Sequence, residues 1–118
     1  MTRAKLVESM DEFCVSQLNL VDREDWSDLY INSETLGQLA DRISILVLKI
    51  FFTEQHSQRN DLESALRELC AQRVARLRLQ LTYVAACYDR FLSHLVSGTG
   101  YMPAYKQFKI YEDKDLTR

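Results

Sequence analysis

The chain has 118 residues, a formal charge of −2 and 47% hydrophobic residues, which fits one domain with one modest core and leaves about a third of the unfolded chain's surface exposed. This balance gives no general attraction for nucleic acid or an anionic membrane surface, so any basic site must be local. Cys14, Cys70 and Cys87 form an odd, widely spaced set, which argues against a disulfide framework and a zinc site and favours reduced thiols.

The start, Met1 to Glu8, carries charges where a signal peptide needs an apolar core, so a cytoplasmic location is expected. In the first segment, Leu6, Val7, Met10, Phe13, Cys14 and Leu18 fall on one side, with Lys5, Glu8, Asp11 and Glu12 around the rest. That pattern predicts an amphipathic helix with its charges outward. Residues 22–28 form an acidic connector, and Trp26 and Tyr30 are expected to pin it to the core. Helix and connector together occupy residues 1–31.

Residues 32–57 form the central element. Thr35 followed by Gln38 is a capping box, so the helix is expected to begin at Leu36. Leu36, Leu39, Ile43, Leu46 and Ile50 share one face at spacings of three and four. From Ile43 to Phe52 the other faces are apolar too, which predicts a helix covered on all sides. The apolar run is about half of the roughly 20 residues a membrane span needs, and Lys49 interrupts it.

The same stretch carries a resemblance. Asn32-Ser33-Glu34-Thr35, Gly37, then Asp41-Arg42-Ile43-Ser44-Ile45-Leu46 and Leu48-Lys49-Ile50 resemble the signature of an uncharacterised bacterial family of helical domains. Two further pieces fit in order, Gln58 to Leu62 and Tyr105-Lys106-Gln107-Phe108-Lys109-Ile110-Tyr111. The likeness covers Asn32 to Tyr111 and corresponds to the C-terminal half of the usual member. It departs at Leu36, at Phe52-Thr53 and at Glu112-Asp113-Lys114. Such proteins are often encoded beside glycosyltransferases of surface polysaccharide assembly, so the resemblance implies a cytoplasmic accessory role, with a glycosyltransferase among the expected partners. It implies no reaction.

Residues 58–98 hold a long helix: Leu66, Cys70, Val74, Leu77, Leu81, Val84, Tyr88, Phe91 and Leu95 continue the three-and-four spacing. Asn60 with Glu63 is expected to cap its start, and Gly98 to end it in a left-handed turn. The far end, around Phe91 and Leu95, outruns the central helix and is expected to lack cover. Residues 99–118 contain Pro103 and read as an extended, partly ordered arm. The fold class is therefore all-α: a small antiparallel bundle of about three main helices with a C-terminal arm.

No catalytic constellation, cofactor motif or metal spacing stands out, and His56 and His94 are isolated. Arg42 and Lys49 are seven residues apart and share a helix face. The favoured reading is ion pairing across a hairpin closing near Ser57, Lys49 with Glu63 and Asp41 with the Arg73 to Arg76 region. The sharper one is a ligand site in which Arg42 and Lys49 hold a phosphate while Tyr105, Lys106, Lys109 and Tyr111 close over it. The arm's aromatic residues equally suit simple docking on helix surface. Two functions follow: a non-enzymatic interaction protein, expected to form a homodimer through the central helix or the exposed end of the long one, or a binder of a nucleotide-sugar or other phosphorylated ligand.

Overall fold

The computed structural model describes residues 2–103, in which three helices follow one another: α1 (Arg3–Gln17), α2 (Leu36–Ser57) and α3 (Ser64–Ser97). The arm residues Tyr105, Lys106, Lys109 and Tyr111 lie outside the described residues. Among the described residues there is no strand, only a single parallel bridge in which Tyr30 N–H donates to Thr99 O at 2.9 Å and Tyr101 N–H to Tyr30 O at 3.0 Å. The all-α reading holds.

Helix α2 starts where the capping box places it. The Thr35 hydroxyl accepts from Gln38 N–H at 3.2 Å, and the Gln38 carboxamide oxygen accepts from Thr35 N–H at 2.9 Å. The two remaining first-turn donors have partners from elsewhere in the chain: Leu36 N–H meets the Met102 sulfur at 3.3 Å and Gly37 N–H donates to the Asp11 carboxylate at 2.8 Å. All donors that a helix start leaves orphaned are thereby satisfied inside the protein. This junction ties α1, α2 and the segment after α3 together.

The core is built on it. Leu36, Leu39, Phe91, Leu95 and Met102 form the buried cluster, with Cys14, Val15, Tyr30, Val84 and Tyr88 packed against it. Tyr30 stacks on His94 at 4.1 Å between ring centroids, and Trp26 stacks on Tyr101 at 6.0 Å, so the acidic connector is pinned through these two rings. Gly98, at φ 79°, ends α3 in the left-handed turn expected of it.

Several expectations are corrected. Phe91 and Leu95 are 0% and 3% exposed, because Leu36, Leu39 and the returning Met102 cover that end of α3. The end without cover is the other one, where Leu66 and Leu69 are exposed. The cause is helix register: Arg78 is ion-paired to Glu54, so α3 begins well beyond the end of α2 and no tight hairpin closes at Ser57. Asn60 does not cap α3, whose N-cap is Glu63 without a side-chain hydrogen bond.

In α1 the inside and outside are partly exchanged. Leu6 and Phe13 are exposed, whereas Asp11 is buried. The helix rotates to deliver the Asp11 carboxylate to the start of α2, and that charge-assisted pairing outweighs the apolar pattern. The central helix is likewise not enclosed within the chain. Leu36, Leu39, Leu46 and Ile50 are buried as expected, but Val47, Leu48, Phe51 and Phe52 are 48%, 57%, 52% and 55% exposed. With one helix on each of two sides, the third side of α2 has nothing from the described residues to cover it.

Candidate functional site

Two surfaces differ from an ordinary solvated exterior. The first is a cleft of ≈ 860 Å³ bounded by the first turns of α1, the Ser33–Glu34 loop, one side of α2 and Gln80 of α3. Gln38, Asp41, Arg42, Ile45 and Lys49 recur at spacings of three and four, so they line the cleft from a single helix side. Asn32 shapes the loop, its side-chain oxygen accepting from Glu34 N–H at 3.1 Å.

The charges in the cleft are not paired as the sequence suggested. Asp41 accepts both arms of the Arg3 guanidinium, Nε at 2.9 Å and Nη2 at 2.7 Å, and has no partner among Arg73 to Arg76. Arg42 is held by Glu34 through Nε at 3.1 Å and Nη2 at 3.0 Å. Glu63 does not pair with Lys49; among the described residues no carboxylate lies within 4.0 Å of its ammonium group. The register that moves Glu63 away from α2 is the reason. Lys49 is exposed at the cleft wall.

Arg42 and Lys49 are thus brought to one cleft, while Tyr105, Lys106, Lys109 and Tyr111, assigned to the same site, lie outside the described residues. Thr35 and Gln38 form the cap, and Asp41 anchors α1. Sequence reasoning missed Glu34, Arg3 and Gln80. Glu34 stands eight residues before Arg42 across a helix boundary, a spacing with no regular geometry. Arg3 and Gln80 depend on how α1 and α3 dock.

Behind the cleft lies the buried polar junction. Asp11 is 1% exposed and accepts from the Thr35 hydroxyl at 2.6 Å as well as from Gly37 N–H. One turn along α1, burial pushes the Cys14 thiol above its ordinary range and the Asp11 charge adds to the shift. Burial likewise raises the Tyr88 phenol, with contributions from Cys14 and Asp89. Asp11 is buried, Cys14 and Tyr88 are half-buried, and none of the three lines the cleft.

The second surface is the uncovered side of α2. Val47, Leu48, Phe51 and Phe52 repeat at three and four and form one apolar patch, with the two phenylalanine rings edge to face at 5.4 Å. Ser44 and Gln55, both uncharged, flank it along the same side, and the Ser44 hydroxyl is taken up by a bond back to Ala40 O at 3.0 Å.

Among the described residues, no group of three or more His, Cys, Asp or Glu side chains could hold a metal ion, and no helix is long and apolar enough to cross a membrane. Fold and surfaces define a small helical-bundle protein with a mixed-charge cleft and an uncovered apolar helix side. The chain belongs to the family described as "Protein of unknown function (DUF4254)", whose model matches residues 1–104. The match takes in α1 and the connector, which the resemblance read from the sequence left out, and stops short of Tyr105. No curated protein and no solved structure matches the chain.

Proposed function

We propose that this is a non-enzymatic helical interaction protein that works as a homodimer paired through the uncovered side of α2. The observation that carries the proposal is the half-exposed patch of Val47, Leu48, Phe51 and Phe52 on an otherwise well-capped helix. These side chains offer on the order of 300 to 400 Å² of apolar surface per protomer, the size of a patch that marks interaction sites. Such a patch supplies the apolar centre of an interface whose polar rim brings the total toward about 800 Å² per partner.

A second copy suits this surface because a two-fold interface sets each residue near its own counterpart. Like charges at the centre would repel; here the seam from Ser44 through Leu48 and Phe51 to Gln55 is uncharged. Two α2 helices can therefore pack side by side without facing cations or carboxylates. In this reading the dimer serves cytoplasmic surface-polysaccharide assembly as an accessory, the context that the sequence resemblance implies, and a glycosyltransferase is the enzyme it would attend.

Sedimentation equilibrium from nanomolar to high micromolar protein tests the assembly. The wild type is expected at twice the chain mass at the upper end, and Leu48→Glu/Phe51→Glu at the single-chain mass with unchanged helical circular dichroism. A wild type at single-chain mass throughout, or a double variant that still dimerises, overturns the proposal.

A further inference from the structure

The cleft on the adjoining side of α2 carries a separate conclusion. It holds three cations, Arg3, Arg42 and Lys49, against two carboxylates, Glu34 and Asp41, so one positive charge is in excess. Among the described residues, Lys49 is the cleft cation with no carboxylate within 4.0 Å. The two arginine pairs are more than half exposed on the arginine side, and exposed ion pairs of this kind contribute only about 0–1 kcal/mol, so either guanidinium is easily turned to a competing anion. Arginine forks grip a phosphoryl group in two places, and a lysine supplies a point charge.

The rest of the wall narrows the ligand. Glu34 and Asp41 suit hydroxyl donors, Ser33 and Gln80 add neutral polar groups, and the Gln38 oxygen is fixed on Thr35 N–H, leaving its amino group for a ligand. Val7, Ile45 and Leu46 provide a short apolar floor of the kind that carries the C–H face of a ring. A bare inorganic anion would use only the cations and would meet the carboxylates as repulsion. A volume of ≈ 860 Å³ exceeds what such an ion needs and lies in the range of small-molecule sites.

We propose that the cleft formed by α1, the Ser33–Glu34 loop and α2 binds a phosphomonoester carried on a small hydroxylated body, the chemical class of a sugar phosphate. Lys49 and Arg42 hold the phosphoryl group, and Glu34, Asp41 and Gln38 take the hydroxyls. Lys49 stands about 160° around the helix from Val47 and Phe51 but only about 60° from Phe52, so the cleft and the seam through Leu48 and Phe51 occupy adjoining sides of α2 that meet at Phe52.

The test is an NMR titration of the full chain with glucose 6-phosphate, with glucose and inorganic phosphate as parallel arms. Glucose 6-phosphate is expected to give saturable shifts at the amides of Ser33, Gln38, Lys49 and Gln80, weakening as salt is added. Lys49→Met is expected to weaken it by about tenfold or more, with Lys49→Gln as a second variant and Arg59→Ala, remote from the cleft, leaving it unchanged. Absence of saturable shifts, an unaffected Lys49→Met, or inorganic phosphate binding as tightly as glucose 6-phosphate overturns the proposal. Loss of dimerisation without loss of these shifts would remove the assembly reading alone.

Discussion

Replacing Asp11 with alanine strikes the junction on which the bundle is assembled. The carboxylate takes two hydrogen bonds within a buried environment, from the Thr35 hydroxyl at 2.6 Å and from Gly37 N–H at 2.8 Å. A buried donor left without a partner costs about 1–3 kcal/mol. The Thr35 hydroxyl can rotate, so the Gly37 amide carries most of that loss. Removing a negative charge from the start of α2 adds about 0.3–2 kcal/mol, partly offset because a buried carboxylate no longer has to be desolvated. The net expectation is a loss of about 2–4 kcal/mol. For a domain of this size that corresponds to a fall in Tm of roughly 8–16 °C. Urea unfolding followed by circular dichroism, at one fixed protein concentration, measures it; the midpoint should drop with an unchanged m value. An Asp11→Ala variant within about 0.5 kcal/mol of the wild type would refute the assignment of Asp11 as the clamp between α1 and α2.

Three further outcomes follow from the same contacts. Gly37→Ala, which in an ordinary helix position stabilises by about 0.5–1 kcal/mol, should instead destabilise by about 1–3 kcal/mol in the same urea assay. The added Cβ would sit 2.7 Å from the Asp11 carboxylate and 2.8 Å from the Val7 carbonyl oxygen. Phe91→Ala should cost about 3–5 kcal/mol and Leu79→Ala less than about 0.5, since Phe91 is fully buried whereas Leu79 projects into solvent. Cys14 should react slowly with a soluble thiol reagent near neutral pH, because a raised pKa leaves less thiolate; Asp11→Asn removes the adjacent charge and should speed it, as read by mass spectrometry of the labelled peptide.

What the sequence disclosed, and what it hid, divides along one physical line. Local chemistry was readable: the Thr35–Gln38 box, the Gly98 terminator, the buried stripe of Leu36, Leu39, Leu46 and Ile50, and the Ser44 back-bond are all set within a few residues of chain. Docking was not. Whether α1 turns Asp11 inward or outward depends on a helix start 24 residues away from it at Thr35, and no periodicity records that. Helix register was equally hidden, because the six residues 58–63 between α2 and α3 permit either a tight hairpin or the offset that the Glu54–Arg78 pair reveals. That single error moved both the expected partner of Lys49 and the expected bare end of α3. In the candidate site, Arg42 and Lys49 were recognisable from their shared helix face, whereas Glu34, Arg3 and Gln80 join them only through the packing of three separate segments.

The apolar side of α2 also shows why composition misleads about enclosure. A helix greasy on every flank is expected to be covered on all sides, by its own chain or a second copy, yet among the described residues two neighbours cover only two of them. In the proposed dimer, that surplus is the docking surface. Intermolecular NOEs in a sample mixing isotope-labelled and unlabelled protein examine that surface directly. Cross-peaks are expected from the Phe51 and Phe52 rings of one protomer to the Val47 and Leu48 methyls of its partner; a dimer without them, or methyls freely broadened by a soluble paramagnetic probe, would contradict pairing through α2.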